Sequence, residues 1–247
     1  MAMAATGTMT VVEEAGDNDT DDSKKHETPV SCFFCFTRRR YRISLLYQFC
    51  MSPERKAKLL EVLSKRQGDL AVVMENVDDP HNISAVMRTC DAVGIQDIYV
   101  LTTKIHPHKK FGIKSSSSAE KWLTIHQYTD ARACFAALRK QYTQILTTHL
   151  STDAVGLYEI DFTQPTALVF GNEHDGVSEE FRNMADGNFV IPQMGIIQSL
   201  NISVACAVSI YEAFRQKTVA GHYLRTSLSA ERQEAIKKDW GFLTTDL

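Results

Sequence analysis

The stretch Leu168-Val169-Phe170-Gly171-Asn172-Glu173-His174-Asp175-Gly176-Val177-Ser178 runs from an apolar strand, through a loop with two glycines, into a helix start. Thr166–Phe170 is a short, nearly unbroken apolar run, the pattern of a strand covered on both faces. Gly171 and Gly176 allow a ligand to approach the backbone closely. Ser178, Glu179 and Glu180 supply a cap and two acids to the first turn of a helix. Strand, loop and helix in this order form the unit of a parallel α/β sheet. In such sheets ligands bind beyond the carboxyl ends of the strands. A plain turn with a solvated Glu173 is the alternative reading of the loop.

Working outward, the same alternation continues on both sides. Strands are predicted at Leu70–Met74, Ile98–Leu101, Trp122–His126, Gln144–Thr148, Thr166–Phe170 and Phe189–Ile191. Helices are predicted at His81–Val93, Ala131–Gln141, Glu179–Ala185, Ile202–Lys217 and Ala230–Asp239. The fold class is therefore α/β, a mostly parallel sheet with helices on both faces. Residues 54–67 read as a preceding basic helix, with Ala57, Leu60 and Leu63 on one face and Gly68 as its stop. Its basic residues are either a solvated face or a polyanion contact.

Two further loops at strand ends carry chemistry. Glu75 to Arg88 opens a helix with Asp79 as cap and Pro80 at its first position. Ile83, Val86, Met87, Cys90 and Val93 form its buried stripe, and Ser84, Arg88 and Asp91 fall on another face. Arg88 then projects from the second turn, either toward a ligand or as a surface residue paired with Ser84 or Asp91. Ile191 to Asn201 is almost uncharged and carries Met194, Ile196, Ile197 and Leu200. It reads as a half-buried segment able to clasp a flat apolar ring, and Ser199 and Asn201 are equally placed to cap the next helix.

The 247 residues carry 27 basic and 30 acidic side chains, a net charge of -3. A chain that is 44% hydrophobic can bury a core, which excludes full disorder. No apolar run reaches the ~18 residues of a membrane-spanning helix, so no membrane partner is expected. The six scattered cysteines suit a reducing compartment, and a cytoplasmic location is expected. Residues 1–50 differ in texture: acids precede Thr28, arginines follow it, and neither half is periodic. They are expected to form a disordered or non-native extension, with Met51 as an alternative start. Cys32, Cys35, Cys50 and His26 lack the paired spacing of a zinc site. GxGxxG, GxxxxGK[ST] and HExxH are absent, and no metal is expected.

Taken together, Asn82 and Arg88, then Gly171, Glu173 and Gly176, then Ser199, Leu200 and Asn201 resemble the SpoU (TrmH) branch of the SPOUT superfamily of methyltransferases. The resemblance spans about Met51 to Trp240. It implies a C-terminal deep trefoil knot, a homodimer and bound S-adenosylmethionine. A knotted catalytic domain over 69–218 would follow the basic helix of 51–68 and precede a C-terminal extension over 219–247. The cofactor would be held by Thr148, His149, Gly171, Ile191, Met194, Ser199 and Leu200.

The implied reaction is methyl transfer to a ribose 2′-hydroxyl of RNA, with Arg88, Asn82, Glu173, Ser199 and Asn201 as catalytic residues. An Arg is a poor base, since its pKa exceeds about 12. Arg88 is thus either locally depressed or a clamp on a phosphate that helps take the proton. The basic helix, the terminal helix and the stretches Arg66 to Leu70 and Ala220 to Tyr223 resemble the members that methylate guanosine 18 of tRNA. Arg55, Lys56, Lys65, Arg66, Lys109, Lys110, Lys114, Arg215, Lys217 and Arg225 would contact phosphates. Asp78-Asp79 stands where those members often carry His-Lys. The alternatives are a ribosomal or anticodon-loop target, or a catalytically idle RNA-binding homologue.

Overall fold

The computed structural model describes residues 51–107, 119–197 and 199–242. The expectations for residues 1–50 and for Lys109, Lys110 and Lys114 lie outside the described residues. In chain order the elements are α1 (Pro53–Leu63), β1 (Gln67–Glu75), α2 (Pro80–Ala92), β2 (Ile95–Leu101), β3 (Thr124–Tyr128), α3 (Ala131–Arg139) and β4 (Gln144–Thr148). They continue with β5 (Val155–Gly156), β6 (Thr166–Phe170), α4 (Glu179–Met184), β7 (Gly187–Val190), α5 (Ile202–Val219) and α6 (Ala230–Asp239). The sheet order is β3-β2-β1-β6-β4-β7-β5, and every pairing is parallel.

Alternation along the central strands divides their side chains between two cores. Leu70, Val72, Met74, Leu168 and Phe170 face α2 and α5, where they meet Ile83, Met87, Cys90, Cys206 and Ile210. Ala71, Val73, Ala167 and Val169 face α3 and α4, against Cys134, Leu138 and Phe181. The predicted stripe of α2 is buried throughout. Ser84, one turn before the exposed Arg88, is buried as well.

Local chemistry explains where helices begin. Ser52, Asp79, Asp130, Ser178, Asn201 and Ser229 each accept a backbone N–H of the first turn. Asp79 is thereby committed to the start of α2. Strand β5 was not anticipated, because a two-residue edge strand leaves no periodic signal.

The terminal helices form a third core. Leu63 of α1 packs with Leu228, Ile236, Trp240 and Phe242, and Trp122 meets Trp240 edge to face at 5.7 Å. The expected apolar face of α1 is corrected: Ala57 and Leu60 are exposed, while Leu59, Val62 and Leu63 turn inward. The helix also ends at Leu63, before Gly68. Gly68 lies in β1, where a Cβ would come within 2.7 Å of the Leu228 side chain.

Two expected phosphate contacts are corrected by burial. Arg66 is 1% exposed. Its guanidinium bonds the Asp91 carboxylate and the Ile95 carbonyl (3.0 Å) and lies over the Trp240 ring. Lys217 is fully buried and donates to Asp69 at 2.8 Å. Asp69 also accepts from Ser227, whose hydroxyl receives the Gly68 N–H. Lys217 fastens α5 to β1, Arg66 joins the start of β1 to α2, β2 and Trp240, and neither is placed to reach a polyanion. Removing one partner of a buried pair leaves an uncompensated charge, which costs about 3–5 kcal/mol. Lys217→Met is therefore expected to lose about 3 kcal/mol in urea denaturation. The salt dependence of RNA affinity should stay unchanged.

Candidate active site

A cavity of about 610 Å³ opens beyond the carboxyl ends of β4, β6 and β7. Thr148 and His149 border it after β4, Phe170 and Gly171 after β6, and Phe189 and Ile191 after β7. Ser199, Leu200 and Asn201 close it from the segment leading into α5. Its volume is that of a drug-sized ligand.

The loop after β6 is held by its own backbone. Asn172 and Gly176 exchange N–H···O bonds of 3.1 and 2.9 Å. A Cβ on Gly171 would overlap the backbone of Gly176 and Val177, and Gly176 has φ of 66°. Both glycines are required, one for space and one for conformation. The Asn172 side chain accepts from the His174 and Asp175 N–H groups and donates to the Asn76 carbonyl at 2.9 Å. Asn76, with φ of 53°, in turn accepts from Thr103 and Lys104, which ties the end of β1 to the segment after β2.

Three predicted residues from distant segments converge. Asn82 Nδ2 donates to Glu173 Oε1 at 2.6 Å, and Asn201 Nδ2 donates to Asn82 Oδ1 at 3.2 Å. Asn201 Oδ1 caps α5 through Ser203, so both readings of Asn201 hold at once. Ser199 stands on the cavity wall. Arg88 is exposed on α2 and is not among the residues bordering the cavity; Asp91, its suggested partner, is engaged by Arg66. Six residues separate Arg88 from Asn82, about one and two-thirds turns, so the two point to different sides of α2.

Of the expected cofactor residues, Thr148, His149, Gly171, Ile191, Ser199 and Leu200 border the cavity. Met194 does not: it is 97% exposed and lies off the wall. The half-buried clasp is corrected at its middle, since Ile196 and Ile197 are exposed as well, while Ile191, Ser199 and Leu200 border the cavity. The Arg182 guanidinium pairs with His149 Nε2. Sequence reading missed Arg182 and Asn76. An Asn directly after an apolar strand was the available signal for Asn76, because Asn tolerates positive φ.

The described cysteines are not candidate nucleophiles. Burial pushes the Cys134 thiol up to about 12, and burial together with a bond to Cys90 raises Cys206 well above the ordinary thiol range.

The SpoU rRNA Methylase family model matches residues 69–211, a span that contains every loop around the cavity. The chain belongs to this family. SpoU methylases are methyltransferases that use S-adenosylmethionine. A tRNA (guanosine(18)-2'-O)-methyltransferase of Escherichia coli K12 is 42% identical over 191 residues, covering 75% of this chain and 82% of that one. The crystal structure of a TrmH/SpoU tRNA modifying enzyme of Aquifex aeolicus superposes with a TM-score of 0.71 at 41% identity, over 76% of this chain and 95% of that one. An AdoMet-bound rRNA methyltransferase of Sinorhizobium meliloti is 27% identical, with a TM-score of 0.55, over 63% of this chain and 59% of that one.

The residues present fit such a cofactor. Gly171 and Gly176 border the cavity in a tight loop whose closure leaves no room for a Cβ on Gly171, and Phe170, Phe189, Ile191 and Leu200 offer apolar surface to a flat ring. In this SpoU methylase, Gly171→Ala is expected to lose about 2–3 kcal/mol in urea denaturation through overpacking. Binding of S-adenosylhomocysteine, measured by calorimetry, should be lost with it. Unchanged binding would show that the loop is not the cradle.

Proposed function

We propose that this chain transfers a methyl group from S-adenosylmethionine to the 2′-hydroxyl of guanosine 18 in tRNA, as a homodimer. The observation that carries the reading is the 42% identity to an enzyme named for that reaction, beside a family match over 69–211 that includes the cavity and its polar relay. Thr148, His149, Gly171, Ile191, Ser199 and Leu200 would hold the cofactor, which supplies an activated sulfonium methyl. That methyl would pass to the ribose oxygen as the cofactor leaves as a neutral thioether, and the hydroxyl proton would go to a phosphate oxygen held by Arg88. Glu173 and Asn201 border the cavity and Asn82 bonds both, so positioning would carry much of the rate. Arg88 serves best as a phosphate clamp, because an exposed guanidinium acts as a cation. Arg55, Lys56, Lys65, Arg215 and Arg225 would bind tRNA phosphates from the two ends of the chain.

The dimer reading rests on apolar surface. Met194, Ile196, Ile197, Leu200, Val204 and Tyr211 are exposed along the 191–201 segment and α5. Monomeric proteins rarely leave so large a patch in water. Arg88, absent from the cavity of its own chain, would act in the partner's site. A deep knot belongs to the same proposal. It is supported by α5, which returns from β7 to lie against α2 while Gln216 bonds Ile160 and Phe162 in the β5–β6 connection. A cytoplasmic location is supported by the free Cys90, Cys134 and Cys206.

Purified protein incubated with labelled S-adenosylmethionine and separate tRNA and rRNA pools tests the activity. Label is expected on the D-loop guanosine; label in rRNA or at another tRNA nucleotide overturns the substrate, and no label overturns the reading. Arg88→Ala should abolish transfer while leaving S-adenosylhomocysteine affinity nearly intact, and mixing it with Glu173→Ala should restore activity that neither has alone. Ile196→Glu combined with Val204→Glu should convert a dimer to a monomer in light scattering, with loss of transfer.

A further inference from the structure

Glu75 is the last residue of β1, the strand between β2 and β6. It is 1% exposed. A buried carboxylate carries a desolvation cost that is ordinarily offset by a cation or by several donors. Here the compensation is thin. Among the described residues no Lys, Arg or His forms an ion pair with Glu75. Oε2 accepts one bond, from the Ser178 N–H at 2.8 Å, and Oε1 has no hydrogen-bond partner. On the α3 side the carboxylate faces Cys134, whose thiol its charge helps to raise.

What that single bond holds is the closing end of the catalytic loop. Ser178 caps α4 by accepting the Phe181 N–H, and Val177 beside it is buried. The opening end is held by the residue that follows the strand, where the Asn76 carbonyl accepts from Asn172. The last residue of β1 and the residue after it therefore grip both ends of the 172–178 loop. Glu173 lies between the grips and reaches Asn82. A shift of the closing end would move Glu173 against Asn82 and change the wall at Gly176.

We infer that Glu75 is a positioning residue for methyl transfer: by accepting the Ser178 N–H it fixes the 172–178 loop and, through it, Glu173. The inference rests on the methyltransferase reading above. It explains why a strand end otherwise built from apolar side chains keeps a poorly compensated carboxylate at the edge of the site. An apolar residue would pack there at lower cost and release the loop.

The test compares Glu75→Leu and Glu75→Gln with the natural chain, using tRNA and S-adenosylmethionine under single-turnover conditions. Glu75→Gln keeps an acceptor oxygen without the charge and should hold kcat within a few-fold. Glu75→Leu should lower kcat about 100-fold, the scale of a small misplacement of reacting groups. Its KM for tRNA should change little. Its Tm should match or exceed that of the natural chain, because removing the buried charge offsets one lost hydrogen bond. Hydrogen exchange across 172–178 should quicken in the Leu variant and not in the Gln variant. The inference is overturned by a Glu75→Leu chain that keeps its kcat, that fails to fold, or whose Tm falls together with kcat. A Glu75→Gln chain as impaired as Glu75→Leu overturns it too. A natural chain inactive on tRNA sinks the functional reading instead.

Discussion

Burial of the central strands on both faces governs this molecule. β1 and β6 lie side by side in the middle of a parallel sheet, and alternate residues enter two separate cores. No face of these strands is left for polar work. Chemistry is therefore displaced to their ends, where the backbone leaves the sheet and must be satisfied by other means. The cavity, the Asn172–Gly176 bridge and the Glu173–Asn82–Asn201 relay all sit at that boundary. Even Glu75 belongs to it, a polar group at the last step of a strand that is otherwise apolar from Leu70 to Met74.

The same rule decides what the sequence made legible. Gln144–Thr148, Thr166–Phe170 and Ala230–Asp239 have the predicted bounds, because period and punctuation agree there. The relay was foreseen as three separate loops, and Asn82, Glu173 and Asn201 meet across 119 residues of sequence. What stayed hidden depends on contacts no local pattern encodes. Gly68 looks like a helix stop, yet its role is to admit Leu228 from a distant segment. Arg66 and Lys217 look like surface cations, yet Asp91 and Asp69 draw them into the interior.

Those buried cations change the meaning of the charge. A near-neutral chain with basic residues at both ends suggests a surface for polyanions. Part of that charge is consumed in joining the ends to the sheet. Arg232 of α6 does the same, donating to the buried Asp97 at 2.7 Å beside His126. The C-terminal helix is thus docked by an ion pair at its root and by the contact of Trp240 with Trp122, which precedes β3. Arg55 and Arg225, which are exposed, keep their charge for a partner.

The 191–201 segment shows how a correct observation about composition can yield a wrong placement. Its lack of charge was real, and burial was the natural inference. In one chain the segment instead presents Ile196 at 100% exposure, while Ser199 and Leu200 border the cavity. A chain tolerates such exposure when another surface is to cover it. Under the proposed dimer, the surface that covers these side chains would also bring Arg88 to a cavity it does not enter in its own chain. A transfer that depends on positioning rather than on a strong base gains from that coupling. The last charged group would arrive only when the apolar wall closes, so a lone protomer would bind cofactor without being able to complete the reaction.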